Sequence, residues 1–379
     1  MPPTPPRSVL VLQGGGALGA YQAGVFQALS QAGSEPTWVA GISIGAINAA
    51  IIAGNAPCDR LARLEEFWTL VTSGWPFQQP STSDTLRAAA GDASISWAMT
   101  KGVPGFFTPR PISPLLQPGG GPQGLSFYDS SPLRTTLERL VDFDRINAGE
   151  TRLSVGAVNI RTGNFVYFDN VHQKLGPEHI MASGALPPGL PPIEIAGEWY
   201  WDGGIVSYTP LEYVLDQNTT QDLVIYQVDL FNARGPMPRS MQEAAEREKD
   251  IRFSSRTRLN TDANLRIHRL KSSLAAVLKT LPPEHLSDPD VQFLAEFAEE
   301  NSVIVVQLIY RDRPYEGAFK DVEFSRRTKL DHWASGVADG EKALRRKQIH
   351  PVDPAPGGTL SVDPGLELPT SELPKDLHR

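Results

Sequence analysis

The chain has 379 residues, of which 40% are apolar, and a formal net charge of −8. That size and apolar share allow a sizeable buried core, and the acidic balance argues against a nucleic-acid partner. Its single cysteine, Cys58, excludes an intrachain disulfide framework and suits a reducing compartment, and no run of 18 apolar residues is present to span a bilayer.

The proline-rich start, Met1 to Arg7, does not read as a secretory signal, so a cytoplasmic location is expected. Ser8 to Leu12 suits a short buried strand, and Ala17 to Ala32 reads as a helix with Leu18, Val25, Phe26 and Leu29 at helical spacing. Between them stands Gly14-Gly15-Gly16. Glycines between a strand and a helix leave backbone N–H groups bare near a helix N-terminus, a nest for negative charge. The same glycines satisfy Gly-x-Gly-x-x-Gly through Gly19, the dinucleotide pattern. That pattern also requires a carboxylate at the end of the second strand, and Val39 to Ser43 carries none. No nucleotide cofactor is therefore expected.

The second strand leads into Gly41-Ile42-Ser43-Ile44-Gly45, with a helix expected over Ile44 to Ala53. A Gly-x-Ser-x-Gly between strand and helix puts the serine on a sharp turn with its hydroxyl exposed above the sheet. It names Ser43 as a nucleophile for acyl transfer, and the bare amides of the glycine loop suit the oxyanion that such a reaction creates. Cys58 to Val71 reads as a further helix. Gly74 to Gly124 is rich in Pro and Gly with little periodicity. It reads either as a lid with Trp75, Phe77, Trp97, Phe106 and Phe107 on its apolar face, or as a surface insertion packed on the core.

Regular structure resumes with a helix at Ser131-Pro132, then strands at Arg152 to Asn159 and Asn164 to Phe168. Asp202-Gly203-Gly204 follows the aromatic run Trp199 to Trp201. Two glycines after an aspartate permit close backbone approach, or mark a hairpin turn. Leu223 to Leu230 is a buried strand. Met241 to Leu281 is mostly helical, and between Arg247 and Lys271 eight Lys or Arg face three acids. That stretch suits either anionic lipid headgroups or a solvated helix face. Ser302 to Tyr310 is a strand, the run to Arg345 is helical, and the tail from Pro351 to Arg379 is expected to be disordered.

Three ordered blocks make the chain resemble the patatin-like phospholipases: Gly14 to Val25, Gly41 to Ala50, and Asp202-Gly203-Gly204, with Ala182 to Pro188 also fitting. The resemblance implies a three-layer α/β/α fold with a mostly parallel sheet, and a catalytic dyad of Ser43 and Asp202. It also implies an oxyanion hole involving Gly14, Gly15 and Gly16, to which Ile44 would add its amide. Tyr315 to Asp321 and Glu323 to Arg327 resemble a C-terminal extension found in one bacterial subgroup of the family. The expected organisation is an acyl hydrolase domain over 7–235 with the insertion at 74–124, an extension over 236–350, and the tail.

A free aspartate, with a pKa near ~3.9, is a poor base at neutral pH; burial under aromatic neighbours would strengthen it. The rival arrangement is a Ser–His–Asp triad, but none of the histidines after Asp202 sits in a recognisable catalytic loop. Two positions depart from the family pattern: Leu18 where many relatives carry Arg or Lys, and Tyr208 where they usually carry Asn. The expected function is a serine lipid acyl hydrolase needing no metal or cofactor, acting on a lipid or other ester, with peripheral contact at the inner membrane surface. A short-chain or hydroxyacyl esterase and a non-catalytic scaffold stand as alternatives.

Overall fold

A computed structural model describes residues 5–77, 83–116, 121–217, 221–345 apart from 312 and 314, and 358–364. In chain order it runs β1 (Arg7–Leu12), α1 (Gly19–Gln31), β2 (Trp38–Ile42), α2 (Ile44–Ala53), α3 (Arg60–Val71) and α4 (Asp84–Lys101). There follow β3 (Thr108–Pro109), β4 (Tyr128–Asp129), α5 (Ser131–Leu140), α6 (Phe143–Ala148), β5 (Arg152–Asn159), β6 (Phe165–Asp169) and α7 (Pro177–Ser183). The remainder is β7 (Ile193–Ile195), β8 (Glu198–Asp202), α8 (Leu211–Leu215), β9 (Leu223–Asp229), α9 (Met241–Leu278), α10 (Pro289–Ala295), β10 (Val303–Ile309), α11 (Arg326–Arg345) and β11 (Thr359–Val362).

The central sheet is parallel from β11 through β10, β9, β1 and β2 to β5; β6, β7 and β8 add an antiparallel margin. Side chains alternate across it. Leu10, Leu12 and Val39 join one core with α1, α2, α3, α5 and α11, while Val9, Val11, Trp38 and Ala40 join a second with Leu211, Val214 and Leu215 of α8. Helices thus cover both faces, giving the three-layer α/β/α architecture with a mostly parallel sheet. No helix among the described residues is long and apolar enough to cross a membrane.

The residues after 235, expected as a distinct extension, build on the same body: β10 pairs with β9 along its whole length, and α11 packs on α1. The latter contact is a backbone approach. A Cβ on Gly24 would lie 2.1 Å from the Trp333 carbonyl oxygen, and one on Gly336 would lie 2.0 Å from that of Tyr21.

Two expectations are corrected here. The insertion is no irregular loop, since it holds the 18-residue α4. Its sequence is alanine-rich, so helix propensity is high although few large apolar residues mark a periodic stripe. Phe106 and Phe107 belong to the core, and Trp75 packs edge-on against Phe77 and Trp97. The tail expected to be disordered supplies β11, which pairs in parallel with Val303 to Val306 of β10. Residues 351–357 and 365–379, and 78–82 and 117–120 of the insertion, lie outside the described residues.

Candidate active site

Ser43 sits one residue beyond β2 and starts α2 with φ 57° and ψ −124°. Among the described residues only Ala196 shares a positive φ without being glycine. Such a backbone costs about 1–3 kcal/mol and persists only where its surroundings enforce it. The enforcement is steric. A Cβ on Gly41 would lie 2.3 Å from the Gly45 carbonyl oxygen, and one on Gly45 would lie 2.4 Å from that of Leu12. The Ser43 amide donates to Ser183 Oγ at 3.0 Å, and the Ser183 hydroxyl donates to the Gly156 carbonyl at 2.6 Å. This serine at the end of α7 belongs to a stretch noted in the sequence without a role; its place before Gly184 and two prolines is the available signal.

Sheet register explains how Asp202 reaches Ser43. On β5, residues Ser154 to Gly156 pair with both β2 and β6, and residues Ala157 and Val158 pair with both β6 and β8. A strand residue has two edges, so β2 and β8 share one edge of β5. β2 runs up it and ends with Ile42 opposite Gly156; β8 runs down it and ends with Asp202 opposite Ala157. The two strands meet end to end, and the next residue after Ile42 is Ser43. The glycines follow from this crowding, as a Cβ on Gly203 would lie 2.7 Å from the Gly156 carbonyl oxygen.

Asp202 is 2% exposed. Its amide donates to Ala185 O at 3.0 Å, its Oδ1 accepts from the Gly204 amide at 2.7 Å, and the Ser43 side chain lies close enough to act on its titration. Burial pushes its pKa up to about 7, with Ser43 and the Gly204 amide pulling the other way. Trp199, Tyr200 and Trp201, expected to supply this burial, are each only half-buried. Tyr208 lies closer, its ring 3.0 Å from where a Gly204 Cβ would stand and 3.5 Å from where a Gly14 Cβ would stand. It packs at a tilt on Phe253 of α9 with ring centroids 4.4 Å apart, and Phe253 meets Phe231 at 4.8 Å, forming an apolar wall beside the glycine loop.

The glycine loop adjoins Ser43 directly, since a Cβ on Gly14 would be 3.2 Å from Ser43 Cβ. The Gly14 amide donates to the Tyr208 carbonyl at 3.1 Å, so Gly14 contributes room and not a free donor. The amides of Gly15, Gly16 and Ile44 have no acceptor among the described residues. Ile44 opens α2, where the helix dipole favours negative charge. Gln13 fixes the loop from below: fully buried, it accepts from the amides of Leu230 and Phe231 and donates to the Phe253 carbonyl at 3.3 Å. In the sequence Gln13 is merely the polar residue that interrupts an apolar run.

Leu18, the departure from the family pattern, is fully buried and faces the core, not a substrate. No histidine among the described residues bonds to Ser43 or Asp202. His268 contacts Thr359 and Asn301, and His332 bonds Glu316 at 2.6 Å; His350 and His378 lie outside the described residues. The basic stretch of α9 is partly turned inward. Arg247 bonds the carbonyls of Asn232 and Ala233, Lys249 pairs with Asp321, and Lys271 with Glu299.

A family model described as patatin-like phospholipase matches residues 10–215, and a second, described as patatin phospholipase, matches residues 251–355. No curated protein matches the sequence. Among solved structures, VipD from Legionella pneumophila is similar over 89% of this chain and 66% of its own length, at 15% identity and a TM-score of 0.38. The type III effector protein ExoU is similar over 90% of this chain and 53% of its own, at 14% identity and a TM-score of 0.34. Full-length ExoU in complex with SpcU, from Pseudomonas aeruginosa, is similar over 65% of this chain and 48% of its own, at 18% identity and a TM-score of 0.27. This chain thus spans only about half to two-thirds of those proteins. With the first family model matching more than half of its residues, the chain belongs to the patatin-like phospholipase family of hydrolases.

Proposed function

We propose that this chain is a serine lipid acyl hydrolase working through a Ser43–Asp202 dyad. The observation that carries the reading is the end-to-end meeting of β2 and β8, which sets a serine on a strained turn beside a buried aspartate whose pKa stands near neutrality. A base is most effective when its pKa lies near the working pH. Ser43 Oγ attacks the ester carbonyl carbon while Asp202 takes the hydroxyl proton. The amides of Gly15, Gly16 and Ile44 receive the developing oxyanion. Collapse breaks the bond to the leaving alcohol, which takes the proton from Asp202. Water then attacks the acyl-enzyme, gives a proton to Asp202, and the acid departs as that proton returns to Ser43 Oγ.

The apolar wall of Tyr208, Phe253 and Phe231 supports an acyl chain as the bound group. Leu186, Ile205 and Val206, each two-fifths exposed or nearly so and close in sequence to dyad contacts, support peripheral contact with a lipid surface.

The test uses the full chain on phospholipid vesicles and on matched short-chain esters, with fluorophosphonate labelling mapped to the modified residue. Wild type should hydrolyse vesicles and be labelled at Ser43. Ser43→Ala should lose on the order of 10⁴-fold or more in turnover and all labelling. Turnover by wild type on the short esters alone would favour the esterase alternative. Full turnover in Ser43→Ala, or a label elsewhere, would overturn the assignment, and neither turnover nor label in wild type would leave a scaffold.

A further inference from the structure

The segment after 235 contributes none of the dyad or oxyanion groups, yet it touches the glycine loop at two points. The Asp321 carbonyl oxygen lies against Gly16, where a Cβ would be 2.1 Å from it. The Phe253 carbonyl receives the Gln13 side chain. Lys249 joins these two contacts. It stands one turn before Phe253 on α9, and its Nζ donates to the Ala318 carbonyl at 2.9 Å and to the Asp321 carboxylate. Its ammonium also lies 5.9 Å from the Phe253 ring and 5.6 Å from the Phe319 ring. The short turn Lys320–Val322 is thereby fastened to α9. Lys320 secures it again from inside, fully buried with Nζ 2.7 Å from Asp250.

We infer that Lys249 is a positioning residue for the oxyanion loop. By clamping the turn that abuts Gly16, it keeps the Gly15 and Gly16 amides aimed beside Ser43 without itself touching substrate. A run of three glycines has more backbone freedom than any other sequence. Amide donors stabilise an oxyanion only when their orientation is set before the reaction. Gly16, at φ +54°, is held in that orientation by a wall it does not own, the carbonyl of a residue some three hundred positions later. The region covered by the second family model thus acts as a brace on the catalytic loop. This inference rests on the oxyanion role proposed above for these amides.

The experiment compares wild type, Lys249→Ala and Lys249→Arg in the full chain. Lys249→Ala should lower both kcat on a short ester and the fluorophosphonate inactivation rate by about 10- to 100-fold, less than outright loss of an oxyanion donor. KM should stay within about two-fold, and labelling of Ser43 should still run to completion. Lys249→Arg, which keeps the cation, should recover most of the rate. Hydrogen exchange in peptides covering residues 13–18 should quicken in Lys249→Ala and not in Lys249→Arg. An unchanged inactivation rate and unchanged exchange in Lys249→Ala overturn the inference. So does a loss of rate matched by an equal loss of labelable protein, which means unfolding. If wild type is never labelled, the dyad reading fails by itself, and the exchange measurement still decides whether Lys249 braces the loop.

Discussion

The turn that carries Ser43 and the loop that carries Gly15 and Gly16 stand side by side above neighbouring strands, and they are held in opposite ways. The serine turn is locked by backbone atoms close by: Gly41 against Gly45, Gly45 against Leu12. The glycine loop is locked from afar, by Gln13 gripping the end of β9 and by Asp321 pressing on Gly16. A nucleophile needs one atom in one place, and a tight turn supplies that alone. An oxyanion site needs two amides aimed at an empty point, and a loop without side chains has nothing of its own with which to aim them. The contrast explains why one fragment of sequence suffices to propose a nucleophile while the other half of the proposed site depends on residues hundreds of positions away.

Breaking the local lock should cost most. Gly45→Ala drives a Cβ into the Leu12 carbonyl, with no flexible side chain to yield. It should destabilise the chain by about 4 kcal/mol or prevent folding, and urea denaturation will measure it. The aspartate side of the proposed dyad gives the next effect. Asp202 has a pKa near ~3.9 when unfolded and about 7 when folded, so the fold binds its proton more readily than the unfolded chain does. Its ionisation therefore opposes folding, and stability falls as pH rises from about 4 to about 7. Asn carries no such charge. Asp202→Asn should melt higher than wild type at pH 8, with a ceiling of about 4 kcal/mol before the altered contact with Ser43 is counted, and the gain should vanish near pH 4. A gain independent of pH would show that burial is not what raises the pKa.

The remote lock should yield more gently. Gln13→Leu leaves the Leu230 and Phe231 amides and the Phe253 carbonyl without their buried partner. A loss of about 2–3 kcal/mol in stability is expected, together with a fall in kcat larger than any rise in KM. An intact kcat would mean that the loop keeps its aim without Gln13. The smallest effect is the pH profile of the wild type. With Asp202 required as a base and a pKa of about 7, kcat/KM should rise roughly tenfold from pH 6 to pH 8 and then level off. A flat profile over that range removes Asp202 from the role of base.

What could be read from the chain follows the same division. The turn at Gly41 to Gly45 and the junction at Asp202-Gly203-Gly204 were legible because both demand glycine, and glycine is visible. The strands that bury both faces, such as Leu223 to Leu230, were legible from their apolar runs. α4 was not, because its buried positions include Ser94 and Ala98 in place of large apolar residues. β11 was not, because four residues in a Pro- and Gly-rich stretch become a strand only through pairing with β10. Gln13, Tyr208 and Asp321 carry no local signature of the contacts they make. Their significance lies in which distant backbone they meet, and that is a property of the fold.

The contact between α1 and α11 bears on how the molecule is made. Its glycines let two backbones touch, so little can substitute for the missing partner. During synthesis α1 emerges long before α11, so the face it presents to α11 stays bare until that later helix has emerged. β1, likewise, must wait for β9 to cover its second edge. Assembly of this fold is thus governed by contacts between early and late parts of the chain, a topology that slows folding and leaves apolar surface in need of shelter while translation continues.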